Sequence, residues 1–135
     1  MRLRDNIIDS RLVGRMVKVY TLCGKVIEGI LDEVTRYELG IRTSASAVVV
    51  MRHSIVKVAV SESDIHGSGT VEEDTVITSD FIGENVTILL NSCEEIKGRL
   101  MKLSKYEIGV VTGEETYIVP KSAIVYVVLA EFEEE

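Results

Sequence analysis

The side chains best able to do chemistry come in pairs along this 135-residue chain. Glu38 and Glu107 each follow a tyrosine. Two carboxylates can divide acid–base work, one giving a proton and the other taking it. These two stand in different repeats of the chain, and they are read as solvent-facing strand residues or as salt-bridge partners between units. Cys23 and Cys93 are too few for a disulfide framework, and a metal would need more donors beside them. Both are read as thiols in a reducing compartment. Asp64 and His66 are too sparse to make a site. No P-loop, dinucleotide fingerprint or nucleophile–base constellation occurs. The expectation is a protein that is not an enzyme and holds no cofactor or metal.

What positions these pairs is a duplication. The segment RYELGI at 36–41 returns as KYEIGV at 105–110. An ungapped offset of 69 sets Gly14 on Gly83, Gly29 on Gly98, Gly40 on Gly109, and Ile55 and Val56 on Ile124 and Val125. Self-similarity at a fixed spacing marks a repeated structural unit. Residues 1–60 form a first repeat, 61–78 a Ser-, Gly- and acid-rich linker, and 79–135 a second repeat ending in the charged tail EFEEE.

Within each repeat the apolar period is two, which is the period of a half-buried strand. Val17 and Val19 alternate with Lys18 and Tyr20, and Leu39 and Ile41 with Gly40 and Arg42. Gly29 and Gly98 fall inside a long second strand, where glycine permits curvature or the close approach of another backbone. The alternation breaks at Val34 and Leu103, as a bulge would break it. The last two strands are joined only by MRHS or PKSA, which predicts a single 3₁₀ turn. Five short strands per repeat predict an all-β fold of two small, strongly bent barrels. Segments 48–51 and 56–60, with their counterparts 116–119 and 125–129, carry apolar residues, at Val48–Val50 and Val56–Val60 on both faces, beyond what one small barrel can hide. They are read as edges that pair with neighbouring units, because an open apolar edge otherwise aggregates.

The net charge of −7 is uneven: residues 1–60 sum to +4 and 61–135 to −11. The acidic half should repel nucleic acid and the basic half need not. No apolar run is long enough for a membrane span, and MRLRDNIID lacks the apolar core of a signal peptide, so a cytoplasmic protein is expected.

Two groups of residues resemble the motifs of the Sm-like (LSm) family, in particular its Hfq branch. Gly29, Leu31, Val34 and Tyr37, and again Gly98, Leu100, Leu103 and Tyr106, resemble the family's first motif. Met51-Arg52-His53-Ser54-Ile55 and Pro120-Lys121-Ser122-Ala123-Ile124 resemble Hfq's Tyr-Lys-His-Ala-Ile. The resemblance implies a short N-terminal helix, two SH3-type barrels, and pairing of the fourth strand with the fifth strand of the next unit in rings of six or seven. Two repeats per chain exclude seven, so a homotrimer forming a pseudo-hexameric ring is expected. A monomer whose barrels cap each other is the alternative.

The resemblance also implies single-stranded RNA, U- or A-rich, at pore-facing loops. The residues it nominates are Arg36, Tyr37, Met51, Arg52 and His53 in the first repeat, and Lys105 and Lys121, with Tyr106, in the second. Arg and Lys neutralise phosphate, and an aromatic or Met face takes a stacked base. Several positions depart from the pattern. Thr35 and Ser104 replace the Asp before the third strand, Met51 and Pro120 replace the motif Tyr, and Ser122 replaces His. Tyr37 and Tyr106 lie in register with the apolar face and are read as core. The competing expectation is a protein-binding scaffold that has lost its RNA contacts.

Overall fold

The computed structural model describes residue 3 and residues 5–131; the last four residues of the acidic tail lie outside them. The described chain is built of strands and 3₁₀ turns. The first repeat contributes β1 (Met16–Thr21), β2 (Val26–Val34), β3 (Glu38–Arg42), β4 (Ser46–Met51) and β5 (Ile55–Ala59). The second contributes β6 (Asn85–Leu90), β7 (Glu95–Leu103), β8 (Glu107–Val111), β9 (Thr116–Pro120) and β10 (Ile124–Glu131). In place of the expected N-terminal helices stand three-residue 3₁₀ turns, Ser10–Leu12 and Ser79–Phe81. Each is followed two residues later by a glycine at positive φ, Gly14 at 88° and Gly83 at 98°, which no helix continues through.

Each repeat has the strand order 5-1-2-3-4, but the two are not separate bodies. One antiparallel sheet of ten strands runs β5-β1-β2-β3-β4-β10-β6-β7-β8-β9 and does not close. The joint is β4 against β10, with Val50 opposite Tyr126, Val49 opposite Val127 and Val48 opposite Val128. Two of the four segments read as self-association edges thus meet inside the chain. The other two, in β5 and β9, are the outer edges of the sheet.

Two apolar cores form, and each borrows from the other repeat. Leu12, Val19, Leu31, Leu39 and Ile41 pack with Val125 and Tyr126 of the second repeat. Ile88, Leu100, Ile108, Val110 and Ile124 pack with Val49 and Met51 of the first. Sharing resolves the size problem of a sixty-residue unit, because each half supplies apolar area that the other lacks.

The long second strands bulge, though two residues before the expected positions: pairing slips between Leu31 and Glu33, and between Leu100 and Lys102. The curvature depends on glycine. A Cβ on Gly29 would lie 2.3 Å from the Arg42 carbonyl oxygen, and one on Gly98 would lie 2.6 Å from that of Val111. Those contacts are backbone and cannot swing aside. Gly29→Ala is therefore expected to lower the unfolding free energy by about 2 kcal/mol, read from the midpoint of a urea melt.

Candidate nucleic-acid interface

The turn before β3 begins with a side chain holding its own backbone. Thr35 Oγ1 donates to the Glu38 carbonyl at 2.7 Å and accepts from the Glu38 N–H at 3.0 Å. Ser104 Oγ repeats both contacts at Glu107, at 3.1 Å each. The position where the family pattern has Asp is thus filled here by hydroxyls that shape the turn. That turn projects the next two residues outward. Tyr37 is 55% exposed and Tyr106 70%, so neither is core as the alternation implied. The strands begin only at Glu38 and Glu107, and the strand period does not extend to the tyrosines. Each tyrosine follows an exposed cation: the Lys105 ammonium lies 5.3 Å from the Tyr106 ring centre. Arg36 pairs with Asp74 at 3.4 Å, a surface ion pair of little energetic weight.

The second motif is placed differently. Met51 is buried, and offers no face to a base. The Arg52 guanidinium donates through Nε to the Thr35 carbonyl and through Nη2 to that of Ile8, both at 2.9 Å. Burial lowers its pKa, opposed by the nearby Asp9 carboxylate. His53 Nε2 lies 2.9 Å from the Ile124 carbonyl oxygen, so it donates there and spans the joint between repeats. Ser54 Oγ lies 2.7 and 2.8 Å from the carbonyl oxygens of Met51 and Val125. His53 and Ser54 thus tie the first repeat to the second, whereas Arg52 bonds within the first. Lys121, half-buried, follows Pro120, and its N–H donates to the Tyr106 carbonyl at 2.8 Å, matching Arg52 on Tyr37 at 2.9 Å. The residues brought together and exposed are therefore Arg36 with Tyr37, and Lys105 with Tyr106.

Glu38 overturns its expectation as a surface residue. It is 1% exposed, and one carboxylate oxygen accepts the N–H groups of Val76 and Ile77 at 2.7 and 2.9 Å. The end of the linker lies along the start of β3: Arg36 and Tyr37 donate their N–H groups to the carbonyls of Glu73 and Asp74, at 2.8 and 3.0 Å. Burial pushes the Glu38 carboxyl up from its ordinary range, with the two N–H donors pulling the other way. Glu107, its counterpart, is exposed as expected.

The cysteines are also corrected. Cys23 and Cys93 form a disulfide, with Cα atoms 5.5 Å apart. Their turns, remote in sequence, meet because the β4–β10 joint lays the repeats side by side. The linker residue Asp64 serves the fold: its carbonyl accepts from Arg11, and its carboxylate lies 3.7 Å from Arg15. Among the described residues no cluster of three or more His, Cys, Asp or Glu could hold a metal. Nor is any helix long and apolar enough to cross a membrane. No protein-family model matches this chain, and no curated protein matches it.

Proposed function

We propose that this chain is a non-catalytic ring subunit of Sm/Hfq-like type that holds single-stranded RNA. The observation that carries the reading is the β4–β10 joint. It pairs the fourth strand of one five-stranded repeat with the fifth of the next, and leaves a free fifth strand, β5, at one end and a free fourth strand, β9, at the other. A heterologous joint of this kind, repeated, closes into a ring or runs on as a filament. Three chains would close six repeats. RNA would lie along the recurring exposed pairs Arg36–Tyr37 and Lys105–Tyr106, where a cation meets phosphate and a ring takes a base.

Titration with short oligo-U and oligo-A at two salt concentrations tests the RNA reading. Binding should weaken steeply as salt rises. Arg36→Ala with Tyr37→Ala should weaken it by about tenfold or more. Light scattering tests the ring, with a mass near three chains of 15.0 kDa expected.

A second reading, an assembly ring without RNA, draws support from the second motif. Met51 is buried, and Arg52 and His53 are bound to carbonyls of the fold. Absence of binding at low salt by an assembled ring would establish that reading in place of the first.

A further inference from the structure

The contact between the linker and Glu38 has an exposed counterpart on the second repeat. The offset of 69 continues upstream of the first strands. It sets Asp74 on Asp5, Val76 on Ile7, Ile77 on Ile8, Ser79 on Ser10 and Gly83 on Gly14. The geometry agrees. Val13 and Ile82 donate to the carbonyls of Ser10 and Ser79, and Gly14 and Gly83 to those of Leu31 and Leu100, the latter two both at 2.7 Å. So the N-terminal segment is to the first repeat what the end of the linker is to the second. The linker segment, on entering its own repeat, docks on the β3 turn of the preceding one.

The receiving turn is built twice as well. Thr35 and Ser104 each donate their N–H to the carbonyl three residues on, at 2.9 Å. On the first repeat Thr35 and Glu38 are covered, while Arg36 and Tyr37 stay exposed; on the second, Ser104 and Glu107 are exposed as well as Lys105 and Tyr106. Ile7 is 68% exposed, whereas its counterpart Val76 is buried. The neighbouring edges are bare in the same sense, with Ile118 of β9 73% exposed and Val56 of β5 62%.

We infer that the Lys105–Glu107 turn is a docking site for the N-terminal segment, residues 5–8, of a second copy of this chain. The Ile7 and Ile8 N–H groups donate to the Glu107 carboxylate. The carbonyl of Asp5 accepts from the Tyr106 N–H. The β5 edge of the incoming copy pairs with β9, with Lys57 opposite Val119, Val58 opposite Ile118 and Ala59 opposite Tyr117. That register is the observed β4–β10 register moved by the repeat offset. The inference rests on the head-to-tail reading above and adds to it a second anchor, outside the sheet.

The test measures self-association of the full chain by sedimentation across concentration. Variants are Glu107→Ala, Glu107→Gln and Ile7→Pro, the last removing one donor. Glu107→Ala and Ile7→Pro should each raise the dissociation constant by about tenfold or more, because a carboxylate and buried N–H groups lose their partners. Glu107→Gln keeps an acceptor oxygen and should stay nearer wild type. The double variant Glu107→Ala with Ile7→Pro should be little worse than either alone, which a general loss of folding would not produce. Melting of the dissociated protein should be unchanged in all of them. Wild-type association that Glu107→Ala and Ile7→Pro leave intact overturns the docking and spares the edge pairing. A wild-type chain that stays monomeric at about 100 µM overturns the head-to-tail reading itself.

Discussion

Replacing Glu38 with Ala should lower the unfolding free energy by about 4 kcal/mol, from two buried N–H groups left without an acceptor at roughly 1–3 kcal/mol each. The same change at Glu107, measured on dissociated protein, should move it by less than about 0.5 kcal/mol, because that carboxylate is exposed. Glu38→Gln keeps an oxygen for Val76 and Ile77 and should fold close to wild type at neutral pH. The pair Glu38 and Gln also isolates the titration. Burial raises the Glu38 carboxyl above its ordinary 4.5. A folded-state value above the unfolded one means the folded chain favours the neutral acid. Wild-type stability relative to Glu38→Gln is therefore greatest below the unfolded carboxyl value. It declines as pH rises through the raised folded value. Urea melts of both proteins between about pH 4 and pH 7 measure this difference. A difference that is flat, or that grows with pH, would contradict the buried assignment.

Breaking the Cys23–Cys93 bond should cost about 4 kcal/mol in the chain-entropy account, because it closes a loop 70 residues long. Paired urea melts with and without reductant measure the loss. Alkylation of the wild-type chain, unfolded without reductant, should find no thiols; two thiols would refute the bond. Cys93 has φ of 70°, and the repeat offset places it on Gly24, at 68°. A side chain at positive φ carries a local cost that glycine does not. Cys93→Gly should therefore be less destabilising than Cys93→Ser by about 1 kcal/mol, although both remove the bond. The repeat has glycine at this place, and the second copy keeps the conformation while using a cysteine for its sulfur.

The bond, His53 and Ser54 all reinforce the joint inside the chain. Their counterparts are Ser92, Gly24, Ser122 and Ala123, which offer no disulfide and no imidazole. Any joint between chains would thus be held by strand pairing and the N-terminal segment alone. That makes it the weaker and more concentration-dependent of the two.

The sequence by itself determined the duplication, the five strands of each repeat, the 3₁₀ turns after Met51 and Pro120, and the need for glycine at 29 and 98. These are local matters. Period, turn chemistry and the missing Cβ act within a few residues, and an offset of 69 shows each of them twice. The acidic second half and the apolar outer edges were equally legible, because they follow from composition along a strand. A fourth-to-fifth-strand joint between units was expected from the resemblance; only the tertiary structure decided that it falls inside the chain, between β4 and β10, and that Glu38 is buried while Glu107 is open. It alone decided that Tyr37 and Tyr106 face outward, that Met51 and Arg52 serve the fold, and that Cys23 reaches Cys93. The joint, the disulfide, the buried Met51 and the fate of Glu38 depend on what covers a face from the other repeat or the linker; the tyrosines depend on where the strand begins, and Arg52 on carbonyls of its own repeat. Alternation separates one side of a strand from the other; it carries no information about which distant segment lies against either side. Two near-identical segments can therefore differ at one position, as RYELGI and KYEIGV do: Glu38 is covered by the linker of its own chain, and Glu107 is left exposed.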